Sequence, residues 1–327
     1  MRFETTRYYM LKEVLHYLWH ILRHNASVDT DGDRAKMQYT MLRENHVIVK
    51  GLSMRTPRRA FGKEKILNLI GRLEKYWRQY GREDSGFMKY PMSTIARYIA
   101  QEKSIGAEVP EVEEGLERLK KACGIAEEAL TMEAGVRTVS REELTTGARG
   151  NFSELMKTRH SLRYFSRETP SRETIERALR TAQLTPSACN RQSWHTHIYS
   201  GTEVCRLLTW QGGARGFESE PTMAIVVTAD SRAFLKYEPF QAYVDGGLYA
   251  MNLINALTSE GVGTIPLSCG FGYRKLRGLY EGFGIPENEL PIVIIGAGMY
   301  EEEMKVAVSV RKNISDTTVW HEGGATR

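Results

Sequence analysis

Cysteine is scarce: the 327 residues hold four, Cys123, Cys189, Cys205 and Cys269, with no CxxC pair and no disulfide-like ladder. That spacing excludes a small disulfide-braced scaffold and fits thiols that pack in a core or line a site in a reducing compartment. No run of about 18 apolar residues occurs, so no membrane-spanning segment is expected. The apolar N-terminal stretch is interrupted by Lys12, Glu13 and three histidines, which reads against a secretory signal, and a cytoplasmic location is expected. There is no internal repeat. There is also no GxGxxG following a strand pattern, so no separate nicotinamide-binding domain is read. His16, His20 and His24 share a helix face, but no carboxylate or cysteine is spaced to complete a ligand set. Asn25 to Asp33 resembles half a calcium loop and lacks the glutamate at its twelfth position. No metal site is expected.

What is present is ordinary for a soluble globular chain: 41% hydrophobic and 26% charged residues. The charge is uneven. Residues 1–105 carry 20 Lys/Arg against 11 Asp/Glu, which leaves 25 against 29 for the remainder. Helical apolar spacing predicts helices over Tyr8–His24, Arg34–Lys50, Glu64–Tyr80, Pro91–Lys103 (Pro91 in the first turn) and Glu111–Met132. Residues 1–150 are therefore expected to be an all-helical region. The basic loop Gly51–Lys63, with Arg55, Arg58 and Arg59, reads as an exposed connection or an anion site. Gly135–Gly150 is the linker candidate.

The chemistry-bearing stretch is Thr158–Phe165, TRHSLRYF, which packs Arg159, His160, Ser161 and Arg163 into a turn at a helix end. Guanidinium forks, a hydroxyl and free backbone N–H groups together suit a phosphate. A second stretch, Thr185–Tyr199 (TPSACNRQSWHTHIY), follows one short helix later. Beyond it come Tyr243–Leu257, read as a long helix, and Gly261–Pro266, read as a strand.

These ordered stretches resemble the FMN-dependent nitroreductase family, whose chains pair R-[RH]-S-x-[RK]-x-F with P-S-x-x-N-x-Q-P-W. The resemblance covers about residues 151–314. Residues 1–150 are similar to helical extensions of some nitroreductase-like proteins, with an H-x-I-x-K-G-L element at His46–Leu52, which implies no chemistry. The chain is thus divided into a helical region, 1–150, and a nitroreductase-like FMN-binding domain, 151–327.

The resemblance implies site roles. Arg159 and Ser161 would hold the FMN phosphate, with Arg311 or Lys312 arriving from the C-terminal segment and His160 flanking the phosphate or ribityl chain. Arg163 would face the isoalloxazine, where fixed positive charge favours the reduced ring. Pro186, Ser187, Ala188 and Asn190 would touch the flavin of a neighbouring subunit, which implies a homodimer. Pro266, Leu267, Ser268, Cys269 and Gly270 would lie against the ring, and Gln211 would reach its pyrimidine edge. No side chain need act as catalytic acid or base, because the flavin carries the chemistry. Two departures stand out: Ser193 replaces the family's proline, and Leu267-Ser268-Cys269 replaces its acidic or glycine-bearing turn.

Alternating elements in the second half, a helix over Ser171–Leu184, strands over Trp194–Tyr199, Thr222–Thr228, Gly263–Leu267 and Pro291–Gly296, and helices over Thr202–Leu208 and Phe240–Leu257, predict an α+β fold of helices around an antiparallel or mixed sheet. The function expected is an FMN-dependent oxidoreductase that uses NAD(P)H to reduce a small acceptor such as a nitro compound, a quinone or an unsaturated compound. No nucleic-acid partner is expected. Two alternatives stay open: a flavin-fragmenting or dehalogenating enzyme on the same fold, and a binding or scaffold protein with a vestigial flavin site.

Overall fold

The structure is a computed structural model. It describes residues 6–8, 11–12, 14–15, 18, 30–81, 85–130, 134–234, 238 and 240–321. The three spaced histidines lie outside the described residues, and the half calcium loop is described only from residue 30. The chain divides into two units. One is helical and comprises Asp29–Val136 with Ala307–Arg327; the other comprises Arg137–Val306 together with the described residues of the first 28.

In the helical unit the chain forms α1 (Arg34–Leu52), α2 (Lys63–Tyr80), α3 (Ser85–Ser104) and α4 (Pro110–Cys123). Asp33 caps α1 by accepting the Lys36 N–H at 3.0 Å. Leu52, Ile66, Leu69, Leu73, Ile95 and Leu119 are fully buried in the core between the helices. Two expectations are corrected here. Helix α3 starts before Pro91 and carries it in its interior; burial of Met88 and Met92 on either side outweighs the hydrogen bond that proline forgoes. Helix α4 stops at Cys123 rather than Met132, because Gly124 takes the left-handed conformation (φ 63°) and its N–H closes the last turn on the Lys120 carbonyl.

The unit boundary falls within β1 (Gly135–Ser140), which α5 (Arg141–Ala148) follows, so the expected linker is ordered structure and the first 150 residues include one strand. Ser140 caps α5 through the Glu143 N–H. The rest follows as α6 (Phe152–Thr158), α7 (Arg172–Ala182), β2 (Trp194–Ser200), α8 (Thr202–Gln211), β3 (Met223–Asp230), α9 (Gln241–Ser259), β4 (Val262–Ser268), α10 (Tyr273–Phe283), β5 (Glu289–Met299) and β6 (Glu303–Val308). On α7, Arg177 reaches Glu260 at 2.9 Å.

Strands β2-β3-β5-β4 form one antiparallel sheet in that order, while β1 pairs with β6 in a separate two-stranded sheet. The α+β expectation holds. Residues of β3 are buried on both faces from Met223 to Ala229, as their mostly apolar run requires. Val226, Ile265, Leu267 and Ile294 pack on one face with α8 and α10; Ile225, Val227, Ile295 and Ala297 pack on the other with α7 and α9.

Candidate functional site

The basic turn is built onto an edge of the sheet. Helix α6 is capped by Asn151 and ends at Arg159, whose extended backbone (φ −64°, ψ 117°) turns the chain out of the helix. Ser161 then bridges Thr264 of edge strand β4 in parallel fashion, and the Leu162 N–H donates to the Thr264 carbonyl at 2.9 Å. Further on, the Ser166 N–H donates to Met299 of β5 at 3.0 Å. Room for this crossing comes from two glycines opposite one another, Gly263 and Gly298. A Cβ on Gly263 would come within 2.6 Å of Leu162, and one on Gly298 within 2.9 Å of Phe165. The turn therefore rests on the sheet where it has no side chains.

Arg163 is the most unusual residue of the turn. It is 4% exposed, and its Nε and Nη1 are buried with no hydrogen-bond partner. Burial pushes its pKa below the usual guanidinium value, opposed by the neighbouring Tyr164. Among described residues no carboxylate is paired with it. A guanidinium cannot neutralise itself at physiological pH, so the site holds buried cationic donors that lack acceptors.

Arg159, His160 and Ser161 are partly buried. Arg159 lies near the hydroxyl of Tyr300, whose pKa burial pushes up to about 12 while the arginine opposes the rise. His160 meets a residue that the sequence did not single out: Arg137 of β1 points an Nη2 at the His160 Nε2 at 3.3 Å, and its Nη1 donates to Glu143 at 2.9 Å. No motif marks Arg137; it lies in what reads as linker.

Pro266–Gly270 occupies the end of β4, the same strand that holds the basic turn. Pro266, Ser268 and Gly270 are exposed, Leu267 is buried, and Cys269 is half-buried with its thiol pushed up to about 12 by burial. Gln211 does join this stretch, but as a tie: its Nε2 donates to the Ser268 carbonyl at 3.1 Å, and its Oε1 accepts the Gly213 N–H at 2.6 Å. Lys275 completes the tie by donating to the Gln211 carbonyl at 2.6 Å while its ammonium faces Trp210 and Phe271.

The Pro186–Asn190 loop is anchored on α9. The Ala188 N–H donates to both Asp245 oxygens, at 3.2 and 3.3 Å, and Asn252 donates to Thr185 at 2.7 Å. Asp245, 1% exposed, is a second residue that the sequence reading passed over; an aspartate on the buried face of a long helix was the available signal. Arg191 clamps the far side of the loop with a two-pronged contact to Glu238 at 2.7 and 2.9 Å. Between these anchors Cys189, Asn190 and Gln192 adopt left-handed backbone, φ 52°, 53° and 47°. Gly246 lets α9 approach β5, where a Cβ would meet Ile292 at 2.5 Å; Gly247 faces open space and has no such role.

Arg311 and Lys312 are exposed and group with the helical unit, where Arg311 lies near enough to the Tyr90 hydroxyl to favour its ionisation. A further charged group sits on the sheet: buried Glu289 accepts from Thr228, contacts His197 at 2.7 Å and faces His195 at 3.9 Å. Burial opposes its ionisation, but these contacts outweigh it and hold the carboxyl below its ordinary pKa. Among the described residues no three His, Cys, Asp or Glu side chains are grouped to hold a metal ion, and no helix is long and apolar enough to cross a membrane.

Comparison with known proteins bears on the same half of the chain. The nitroreductase family model matches residues 156–210. Two curated relatives carry the name "Putative NADH dehydrogenase/NAD(P)H nitroreductase". The one from Archaeoglobus fulgidus is 29% identical over 46% of this chain and 86% of its own; the one from Methanothermobacter thermautotrophicus is 28% identical over 44% and 75%. A solved structure from Exiguobacterium sibiricum 255-15, bearing a nitroreductase name and complexed with FMN, is 20% identical, with TM-score 0.46 over 53% of this chain and 98% of that one. In its C-terminal part, about half its length, the chain carries the resemblance to the nitroreductase family.

Proposed function

We propose that the C-terminal part of the chain is an FMN-binding oxidoreductase that draws electrons from NAD(P)H and delivers them to a small organic acceptor. The observation that carries the reading is Arg163: a buried guanidinium with two unpartnered donors is a site made for an electron-rich ligand. Arg159, His160 and Ser161 precede it in one rigid segment and suit a phosphate, so the turn offers donors for both ends of a flavin mononucleotide. Bound there, the flavin would supply the hydride and electron-transfer chemistry that no protein side chain provides.

The chain's own contributions follow from position and charge. Arg163 places fixed positive charge where reduction adds negative charge. Pro266–Gly270, tied down by Gln211, offers exposed backbone beside the turn, including the N–H groups of Ser268 and Gly270. Leu267 and Cys269 keep that stretch apolar, and the raised pKa of Cys269 keeps it a neutral thiol.

A homodimer belongs to the same reading. Phe240, Val244, Leu248 and Met251 recur at helical spacing along α9 and are exposed, as are Leu184 and Ile198. An apolar stripe of this kind beside a strained, exposed Pro186–Asn190 loop suits a second copy of the chain that covers the stripe and receives the loop. The test is direct. The purified full chain is expected to carry yellow flavin absorbance, release FMN on denaturation and bleach anaerobically with NADH or NADPH. A chain that binds no added FMN would refute the proposal and favour the scaffold alternative.

A further inference from the structure

We infer that Arg137, on β1, is a phosphate-binding residue of the flavin site, so that the strand preceding the family-like region completes the anion cradle. This rests on the FMN reading above. Three observations point to it. Arg137 Nη2 lies 3.3 Å from His160 Nε2, in the middle of the Arg159-His160-Ser161 run. The contact sets the guanidinium beside the phosphate-suited turn, where its fork can share an anion with that turn's donors.

The guanidinium is also held in place. Its Nη1 is fixed on Glu143, in the first turn of α5, which leaves the Nη2 side directed at the histidine. Finally, the strand is anchored beside the turn. The Arg141 N–H donates to the Glu302 carbonyl at 2.7 Å, and the Arg141 guanidinium donates to the carbonyl of Tyr300, the residue whose hydroxyl senses Arg159. Arg137 and Arg159 bring two guanidinium groups to one cluster beside His160. Its forked donors and the Ser161 hydroxyl match a dianionic phosphate monoester rather than an uncharged ligand.

The discriminating experiment titrates the full-length protein with FMN and with riboflavin, which lacks the phosphate, and follows flavin fluorescence. Arg137→Gln is expected to weaken FMN binding roughly tenfold to a hundredfold and leave riboflavin binding within about twofold. Glu143→Gln frees the guanidinium from its carboxylate and is expected to tighten FMN a few-fold, again without affecting riboflavin. It provides the test should Arg137→Gln fail to fold. Equal losses for both flavins, or an unchanged FMN-to-riboflavin ratio in both variants, overturn the assignment of Arg137. Wild-type protein that binds FMN no better than riboflavin overturns it as well and leaves the flavin reading standing; wild-type protein that binds neither removes the flavin reading itself.

Discussion

Replacing Arg163 by methionine should move stability and binding in opposite directions. The side chain is 4% exposed with Nε and Nη1 unpartnered. An unsatisfied buried donor costs about 1–3 kcal/mol, and more when charged. Methionine matches the length of the arginine stem, carries no donor and adapts to irregular space. Exchanging poorly compensated buried charge for apolar packing stabilises by roughly 1–4 kcal/mol. A unit of this size gains about 2–4 °C per kcal/mol, so the flavin-free variant should melt roughly 2–15 °C above flavin-free wild type. Binding should weaken over the same substitution, since a hydrogen bond to a charged group is worth roughly 1.5–3 kcal/mol. Two measurements on one preparation decide it: scanning calorimetry without flavin, and FMN titration. A variant that melts lower and binds FMN as wild type does would show that Arg163 is structural and that its missing partners lie within the protein.

The other expectations are narrower. Gly298→Ala would drive a methyl to 2.9 Å from Phe165 Cβ, which cannot move without its backbone, and should cost about 1–3 kcal/mol in urea unfolding; unchanged stability would mean that the basic turn is not seated on the glycine pair. Maleimide at pH 8 should label exposed Cys205 in the folded protein and spare Cys123 and Cys269, whose thiols burial raises to about 11 and about 12; rapid labelling of Cys269 in mass spectra would contradict its burial. Glu289→Gln should destabilise the protein at neutral pH. Because the folded pKa of Glu289 lies below the unfolded value near 4.5, its contribution is present above that value and should vanish as pH falls through the folded pKa; a gap from wild type that persists at pH 2 would refute the assignment. Light scattering at micromolar concentration should report a dimer, and a flavin-loaded monomer would exclude a shared site.

The parts of this fold legible in the sequence are those where one physical signal dominates. Strand β3 is mostly apolar because both its faces are covered, α7 announces itself by period and its Ser171 cap, and α8 and α9 by apolar period. The basic turn stands out by chemistry, since two arginines, a histidine and a serine fall within six residues and together suit an anion. The misses have local causes. Pro91 reads as a helix start, yet packing of Met88 and Met92 carries the helix through it. Strand β1 is invisible because six residues with two exposed polar side chains in the middle show no alternation, and its partner β6 lies more than 160 residues away. Gln211 shows the opposite limit. Its importance is legible from the resemblance, but its role is a backbone tie to Ser268, which no pattern of residue types encodes.

The distribution of unfavourable features is itself informative. In the sheet-bearing unit four strands pair in register, and the apolar side chains between the sheet and its helices are buried, so local propensity and global packing agree there. Two disagreements stand out. One is Arg163, a buried cation without acceptors; the other is the Ser187–Gln192 loop, where three non-glycine residues within four positions adopt left-handed backbone. Strain of that kind costs on the order of 1–3 kcal/mol per residue and persists only where the surroundings enforce it. Here they do: Asp245 holds Ala188 from one side, and Glu238 holds Arg191 from the other. Two carboxylate anchors, one buried and one half-buried, hold an exposed loop in a conformation that a relaxed turn would not need. An unpaired buried cation and an enforced loop kept in one unit are what a site completed by a bound molecule would carry.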